Sequence, residues 1–516
     1  MARPINEALM RLQRRAESSD REFLQRSFVD VPPLLQLLSS RNHQVIFGRR
    51  GTGKTHALRY LAGVLRSSGD LPVEVDLRTA GAVGKYSSAH TPLDQRGSGL
   101  LADVLGHIQN ALVDVALTEG NIDLRPLDEL AEAASTVEVV GSVEAERAFE
   151  AGRSSGASSS AEVRVGLSSI GIGGSLGSSE TSNERIEARL RELGVPQLHL
   201  NFGAVAQALD RVGQAFAPRH LWILIDEWSS VPIELQPLLA DLVRRCILPV
   251  PGFTVKIGAI EDRSWFRANT EYGDYIGIEL GADVTADIDL DGLLSSSQDL
   301  ERPLQFFAAL FHRHVISTAS TTSVRLRSPR QFVTRAFRDQ GTFAELVRAA
   351  AGVPRDGINV LGLAAQEANE SSIRLAHMRS AARDWYQRDK ETAVRGTPAK
   401  AALDFIIDEV IGNRRKRTFL LRQDTGGSGH FLVRQLYDAR IIHLIKRGIA
   451  VASRPSARFD AYAIDYGCYV DLATADRISS VRDVWMMDVP SENAALIEKD
   501  VVSLEPLRGA DRPAHA

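Results

Sequence analysis

The stretch "HQVIFGRRGTGKTHALRYLAG", His43–Gly63, decides the fold. An apolar run, Val45–Phe47, has the composition of a short buried strand. It enters a glycine-rich turn, and the turn enters a helix-forming segment. Gly48, Gly53, Lys54 and Thr55 fit the pattern G-x-x-x-x-G-K-[ST]. Glycines let such a loop curl until its backbone N–H groups converge, and the N-terminus of the next helix adds a positive dipole end. The loop residues Gly48, Arg49, Arg50, Gly51, Thr52, Gly53, Lys54, Thr55 and His56 are therefore the candidate phosphate grip. Lys54 would bridge the outer phosphates, and the Thr55 hydroxyl would ligate Mg2+.

Working outward, "LWILIDEW" supplies a second half. A buried strand delivers Asp226 and Glu227 at its carboxyl end, where open α/β sheets bind ligands. Asp226 suits magnesium, a hard cation held largely through water. Glu227 can polarise an attacking water. Taken alone, such an acidic pair could also just cap the next helix. Further strands are expected at "LPVEVDL", 71–77, at "TVKIGAIE", 254–261, and in either "DYIGIEL" or "DVTADIDL", between 274 and 290. Short apolar runs separated by helical segments imply a mainly parallel sheet covered on both faces.

The bulk composition restricts the reading. A chain of 516 residues accommodates several domains. Its formal net charge of −4 means that any nucleic-acid surface is a local patch. Two cysteines, Cys246 and Cys468, make no disulfide framework and suit a reducing, cytoplasmic setting. The arginine-rich start lacks the apolar core of a secretory signal. No stretch of eighteen uninterrupted apolar residues is present, so no membrane partner is expected. Residues 151–182 contain 11 Ser and 7 Gly, a composition too poor in apolar surface to offset ordering entropy. They read as a flexible insertion, with "AEVRVGLSSIGIGG" as a marginal hairpin.

The blocks at 43–63, 215–290 and 300–475 together resemble AAA+ ATPases of the origin-recognition-complex type, the initiator-like group related to STAND switches, in a bacterial branch. "FVDVPPLLQLL" precedes the first strand as the leading helix does in that group, and "GVPRDGINVL", 352–361, resembles its second sensor. The resemblance implies ATP and Mg2+ as cofactors and hydrolysis of a phosphoanhydride bond. It implies Arg355 as the arginine that reaches from the lid to the outer phosphates. The first sensor departs from the pattern: "KIGAIEDRSWF" closes its strand with Glu261, Asp262 and Arg263, and Arg263 stands where STAND relatives carry an arginine. That departure bears on the phosphate-sensing geometry and hence on the hydrolysis rate. Arg267 is a candidate finger for a neighbour's site in a homo-oligomer. Gln236 is either a nucleotide-state relay or an ordinary helix-entry residue.

The expected organisation is an α/β P-loop AAA+ parallel sheet domain with a helical lid and a C-terminal winged-helix-like domain. Residues 1–42 form a helical lead-in. Residues 43–296 form the ATPase domain, with the insertion at about 135–190. Residues 297–370 form the lid, 371–400 a helical connector, 401–480 the winged-helix-like domain and 481–516 a tail.

The C-terminal reading rests on pattern. "AALDFIIDEVIG" is helical and "RTFLLRQD" extended. In "FLVRQLYDARIIHLIKR", Val433, Leu436, Tyr437, Ile441, Leu444 and Ile445 share a helical face, and "ARFDAYAIDYGCYV" alternates like a wing, with Tyr462, Ile464 and Tyr466 on one side. Residues 411–450 carry nine Lys/Arg against two Asp/Glu, including Arg414, Arg415, Lys416 and Arg417. This patch either contacts double-stranded DNA through residues 411–470 or is a solvated face on a module that touches protein. The function expected is a nucleotide-state switch acting on DNA. The alternatives are control of a separate effector protein in defence or signalling, and a non-hydrolysing scaffold that binds ATP or ADP.

Overall fold

The computed structural model describes residues 3–79, 91–135, 137–140, 195–198, 200–269, 273–294, 300–318, 324–423, 428–451, 454–474 and 498–503. The Ser/Gly-rich insertion, with the hairpin expected in it, and most of the tail lie outside the described residues. The chain divides into two compact units. One comprises residues 1–37, 47–60 and 289–516, the other 38–46 and 61–288.

The second unit is built on a sheet. Its strands in chain order are β1 (Gln44–Phe47), β2 (Leu71–Asp76), β3 (Val137–Val140), β4 (Val195–Leu198), β5 (Leu221–Asp226), β6 (Phe253–Ala259), β7 (Arg267–Asn269), β8 (Tyr275–Gly277) and β9 (Thr285–Asp289). Five of them form one sheet in the order β2-β5-β6-β1-β9. β5 pairs in parallel with both β2 and β6. All seven residues of β6 are buried, as are the first five of β5. Burial on both faces explains why these strands read as unbroken apolar runs rather than alternating ones.

Of the two expected sites for the fifth strand, "TADID" joins the main sheet. "YIG" instead pairs antiparallel with Arg267–Asn269. Gly277 makes that hairpin possible, because a Cβ there would stand 2.0 Å from the Phe266 carbonyl oxygen. β3 and β4 pair antiparallel and bracket the insertion.

The helix Leu93–Glu119 includes a segment, Gln95–Glu119, apolar and long enough to cross a membrane by length and composition. It buries Leu101, Val104, Leu105, Ile108 and Leu112. Its His107 Nε2 lies 3.1 Å from the Glu74 carbonyl of β2.

In the first unit, helices Glu301–Thr318, Pro329–Ala336, Gln340–Ala350 and Pro354–Ala368 follow the expected lid segments. The N-terminal helix Arg3–Met10 joins their core through Ile5, Ala8 and Leu9. Its buried Asn6 donates to the carbonyls of Asn369 and Ser371, at 2.6 and 2.9 Å.

The C-terminal part runs helix (Pro398–Ile406, continued by a wider π-type turn over Ile407–Asn413), strand β10 (Thr418–Arg422), helix (Ser428–Asp438), then β11 (Ile442–Val451) and β12 (Arg454–Ile464). The sheet order is β10-β12-β11, both pairings antiparallel. That is the helix, strand, helix and hairpin of a winged helix. Two details correct the sequence reading. The helix expected to run through Ile445 ends at Asp438. Arg440 adopts a left-handed φ of 60°, and the strand β11 starts two residues later at the β-branched Ile442. Tyr466 is no wing residue. It begins a helix, Tyr466–Thr474, and with Val470 it is buried in the lid's core.

Candidate functional site

The phosphate loop belongs to the first unit, and its curl is visible in the backbone. Gly51 and Gly53 have φ of 89° and 102°, the left-handed region that only glycine enters cheaply. Lys54 Nζ folds back to donate to the carbonyls of Gly48 and Arg49, at 2.7 and 3.0 Å. Thr52 Oγ1 donates to the Arg49 carbonyl at 2.9 Å, and a Cβ on Gly48 would meet that hydroxyl at 2.5 Å. The helix Lys54–Ser67 begins at once, with Thr55 half-buried in its first turn.

These features fit a polyphosphate. Among the described residues, chain neighbours aside, nothing lies within 4 Å of where a Cβ of Gly53 would stand, so the loop's backbone there borders open space beside a lysine and a helix N-terminus. Among the described residues no cluster of three or more His, Cys, Asp or Glu could hold a metal. A magnesium ion bound mostly by water and phosphate needs none.

Arg355 meets this loop. Val353 precedes the helix Pro354–Ala368, and Pro354 occupies its first turn, where a missing N–H costs nothing. The Arg355 backbone N donates to the Gly51 carbonyl at 3.2 Å. A Cβ on Gly51 would stand 2.7 Å from the Arg355 Cβ. The residue implied as second sensor thus packs on the centre of the phosphate loop.

Other loop residues turn elsewhere. Arg50 is exposed. His56 Nε2 lies 2.8 Å from the Leu24 carbonyl, and its ring meets Phe28 edge-on at 5.4 Å. Arg49 is only 4% exposed. Its backbone N and its Nε both donate to the Asp291 carboxylate, each at 2.7 Å. Its guanidinium lies 4.7 Å from the centre of the Tyr437 ring, and Nη1 reaches His443 Nδ1 at 2.9 Å. Burial opposes the charge on Arg49, but Asp291 outweighs it and holds the pKa above its ordinary value.

Asp291, Tyr437 and His443 were not readable as site residues. The only sequence signal was an acidic residue soon after the last sheet strand.

In the second unit, the acidic pair stands at the end of β5. The Glu227 backbone N donates to Asp226 Oδ1 at 2.9 Å, and Glu227 takes a left-handed conformation, φ 58° and ψ 41°. A non-glycine residue held there is strained, and such strain gathers at functional positions. Next to it, Trp228 is fully buried and stacks on Phe266 at 4.8 Å.

Gln236 acts as a clamp. Its Nε2 donates to the carbonyls of Val231 and Arg263, at 2.9 and 3.1 Å, and its Oε1 accepts from the Trp265 N at 2.6 Å. It ties the segment after the acidic pair to the segment after β6. Arg263 is itself exposed. Arg267 pairs with Glu279 at 2.8 Å and lies 4.2 Å over the Tyr275 ring.

The basic run behaves differently from a free cationic face. Arg414 pairs with Glu409 at 2.6 Å and donates to the Lys499 carbonyl, also at 2.6 Å. Lys416 pairs with Asp500. These residues staple the 498–503 segment to the winged helix. Exposed cations on the small sheet itself include Arg422 on β10 and Lys446 on β11.

Residues 12–98 match the family model described as ORC-CDC6-like. The matched stretch starts after the helix Arg3–Met10, holds the glycine-rich loop and β2, and ends well before the acidic pair. No curated protein matches the chain. Among solved structures, Cdc6p from Pyrobaculum aerophilum is similar at 10% identity and a TM-score of 0.32, covering 90% of this chain and 99% of its own. The Aeropyrum pernix Orc1 protein in complex with DNA is similar at 14% identity and a TM-score of 0.31, covering 94% and 96%. Likenesses at these scores are too distant to carry geometry from one chain to another.

Proposed function

We propose that the chain is an ATP-binding, magnesium-dependent AAA+ ATPase that works as a nucleotide-state switch and couples ATP binding and hydrolysis to DNA binding by its winged helix. The observation that carries this reading is the seating of Arg355 on Gly51, which puts a lid arginine against the phosphate loop. In this reading the loop amides and Lys54 hold the phosphates. Thr55 and Asp226 hold Mg2+, which supplies charge neutralisation on the phosphates when bound. Glu227 orients and polarises the water. Arg355 distinguishes ATP from ADP, and that difference in binding is what drives a switch. Arg263 is the alternative phosphate sensor after β6. The protein is read as cytoplasmic and self-associating.

The test is ATP hydrolysis by the purified protein, with and without duplex DNA, at low and moderate salt. The expected result is turnover lost in Lys54→Ala and Glu227→Gln, and stimulated by DNA in a manner that weakens with salt. Binding of ATP without turnover, unchanged by Glu227→Gln, would leave a scaffold instead.

A specific observation favours a second reading, control of an effector protein. Arg414 and Lys416 are already paired within the chain, while Phe431 on the Ser428–Asp438 helix is 56% exposed. An exposed aromatic on this helix, with two members of the basic run already paired, suits a protein contact better than a phosphate backbone. Hydrolysis indifferent to DNA, together with a protein that co-purifies only in ATP, would establish it.

A further inference from the structure

A run of buried polar groups leads from the phosphate loop into the winged helix. Arg49 Nη1 meets His443 Nδ1 at 2.9 Å, and His443 Nε2 meets Asp465 Oδ2 at 3.0 Å. Asp465 Oδ2 also accepts from Lys390 Nζ at 2.6 Å, and Lys390 Nζ pairs with Asp356 Oδ2 at 3.0 Å. Asp356 adjoins Arg355 in sequence. It also takes Arg440 Nε at 3.1 Å and Trp385 Nε1 at 3.1 Å. Arg49, His443, Asp465, Lys390, Asp356 and Arg440 are each less than a tenth exposed.

The proton positions follow from donor counting. A guanidinium only donates, so His443 Nδ1 must accept from Arg49. The ring is then neutral, with its proton on Nε2, donated to Asp465. Burial, with Arg49 adding to it, pushes the His443 pKa down to about 4, in keeping with a neutral ring. Donation thus runs from Arg49 through His443 to Asp465, and Lys390 donates to both Asp465 and Asp356, so every link has a defined donor and acceptor. Its links are buried and none is longer than 3.0 Å, so moving one member disturbs the next.

We propose that this relay makes the winged helix part of the nucleotide site. His443, Asp465 and Lys390 are positioning residues: they fix Arg49 at the start of the phosphate loop and Asp356 beside Arg355. A load on the winged helix is then felt at the phosphate grip as a change in nucleotide affinity. By thermodynamic reciprocity, nucleotide changes the set of the winged helix. The proposal rests on the ATP-binding reading above and adds the route by which the two ends communicate.

The test uses the full chain, a fluorescent ATP analogue, and amide hydrogen exchange over residues 428–464. Wild-type protein is expected to bind the analogue and to exchange more slowly around Ile442–Leu444 when it is bound. His443→Leu removes both ring nitrogens. It is expected to weaken binding roughly tenfold, a typical coupling magnitude, and to abolish the protection. His443→Gln can accept with its amide oxygen and donate with its nitrogen, and is expected to restore both. A merely structural histidine would not separate Leu from Gln in this way.

Equal affinity and equal protection in wild type and His443→Leu would overturn the relay while leaving the nucleotide site intact. Absence of analogue binding by the wild type would overturn the nucleotide reading and the relay with it. If His443→Leu fails to fold, as judged by its thermal melt, the wild-type exchange alone decides. No change at Ile442–Leu444 on adding nucleotide overturns the proposal.

Discussion

The backbone N of Arg355 donates to the carbonyl of Gly51 at 3.2 Å, across more than 300 residues of sequence. The bond fastens the first turn of a lid helix to the middle of the phosphate loop. It leaves the guanidinium available for a role that the backbone bond does not supply. It also explains why Gly51 has no room for a side chain: both the φ of 89° and the Arg355 Cβ, 2.7 Å from where a methyl would stand, forbid one.

Gly51→Ala is therefore expected to do more harm than Gly53→Ala. Both force an L side chain into left-handed backbone, at about 1–2 kcal/mol each. Only Gly51→Ala also pushes Arg355 off the loop, since among the described residues, chain neighbours aside, nothing lies within 4 Å of a Cβ at Gly53. Nucleotide titration and urea denaturation of the two variants should show the greater loss at position 51. Equal losses would mean that the Arg355 seating contributes nothing.

Asp356→Asn should destabilise the protein by about 3–5 kcal/mol, the usual cost of breaking a buried ion pair from one side. Burial raises the pKa of an isolated carboxyl, yet Lys390 and Arg440 outweigh it and hold Asp356 well below the usual carboxylate range. The carboxylate is charged in the fold, and its removal leaves two buried cations short of a partner. Asp384→Asn is the matched control. It removes surface pairs with Arg383 at 3.6 Å and with Arg388, 69% exposed, at 3.4 Å, and should cost about 0–1 kcal/mol. Denaturant midpoints compare the two directly.

His314 should make the fold acid-sensitive. Neither ring nitrogen has a hydrogen-bond partner among the described residues, and the ring packs edge-on against Phe23 at 5.2 Å. Burial lowers its pKa from 6.5 to about 3. The unfolded chain then binds the proton more readily, so stability is full above pH 6.5 and falls as pH drops toward 3. The slope is about 1.4 kcal/mol per pH unit for this one group. His314→Leu should flatten the pH dependence of the urea midpoint between pH 6.5 and 4.5. An unchanged slope would assign the acid sensitivity to other groups.

If the winged helix binds DNA, the cations on its sheet should matter more than the run before it. Arg422→Gln with Lys446→Gln should reduce the slope of log affinity against log salt by about 1–2, one counterion for each phosphate no longer neutralised. Arg414→Gln with Lys416→Gln should leave that slope unchanged and instead speed amide exchange in residues 498–503, which those side chains staple down. The reverse pattern would return the DNA surface to the Arg414–Arg417 run.

The glycine-rich loop, the strands that carry it and the acidic pair, and the helices between 301 and 368 were all legible in the sequence. Each depends on short-range rules: glycine where φ must be positive, apolar runs where a strand is buried on both faces, a proline to open the Pro354–Ala368 helix. Arg355 was named from the resemblance of "GVPRDGINVL" to a second sensor; only its place in the first turn of a helix has a local signature, Pro354. The boundary at Asp438 was misjudged, since Ile441, Leu444 and Ile445 satisfy a helical face as well as a strand, and only pairing with β12 separates the two. The partners of Arg49 were out of reach. Asp291 and His443 lie 242 and 394 residues further along, and a buried charge selects its partner by position in space, not by spacing in the chain. The sequence by itself determined a curled glycine-rich loop between a buried strand and a helix, and the elements around it. Tertiary structure alone decided that one arginine of that loop is held by the winged helix, because desolvated charges must be paired and the fold chooses which groups stand close enough to pair them.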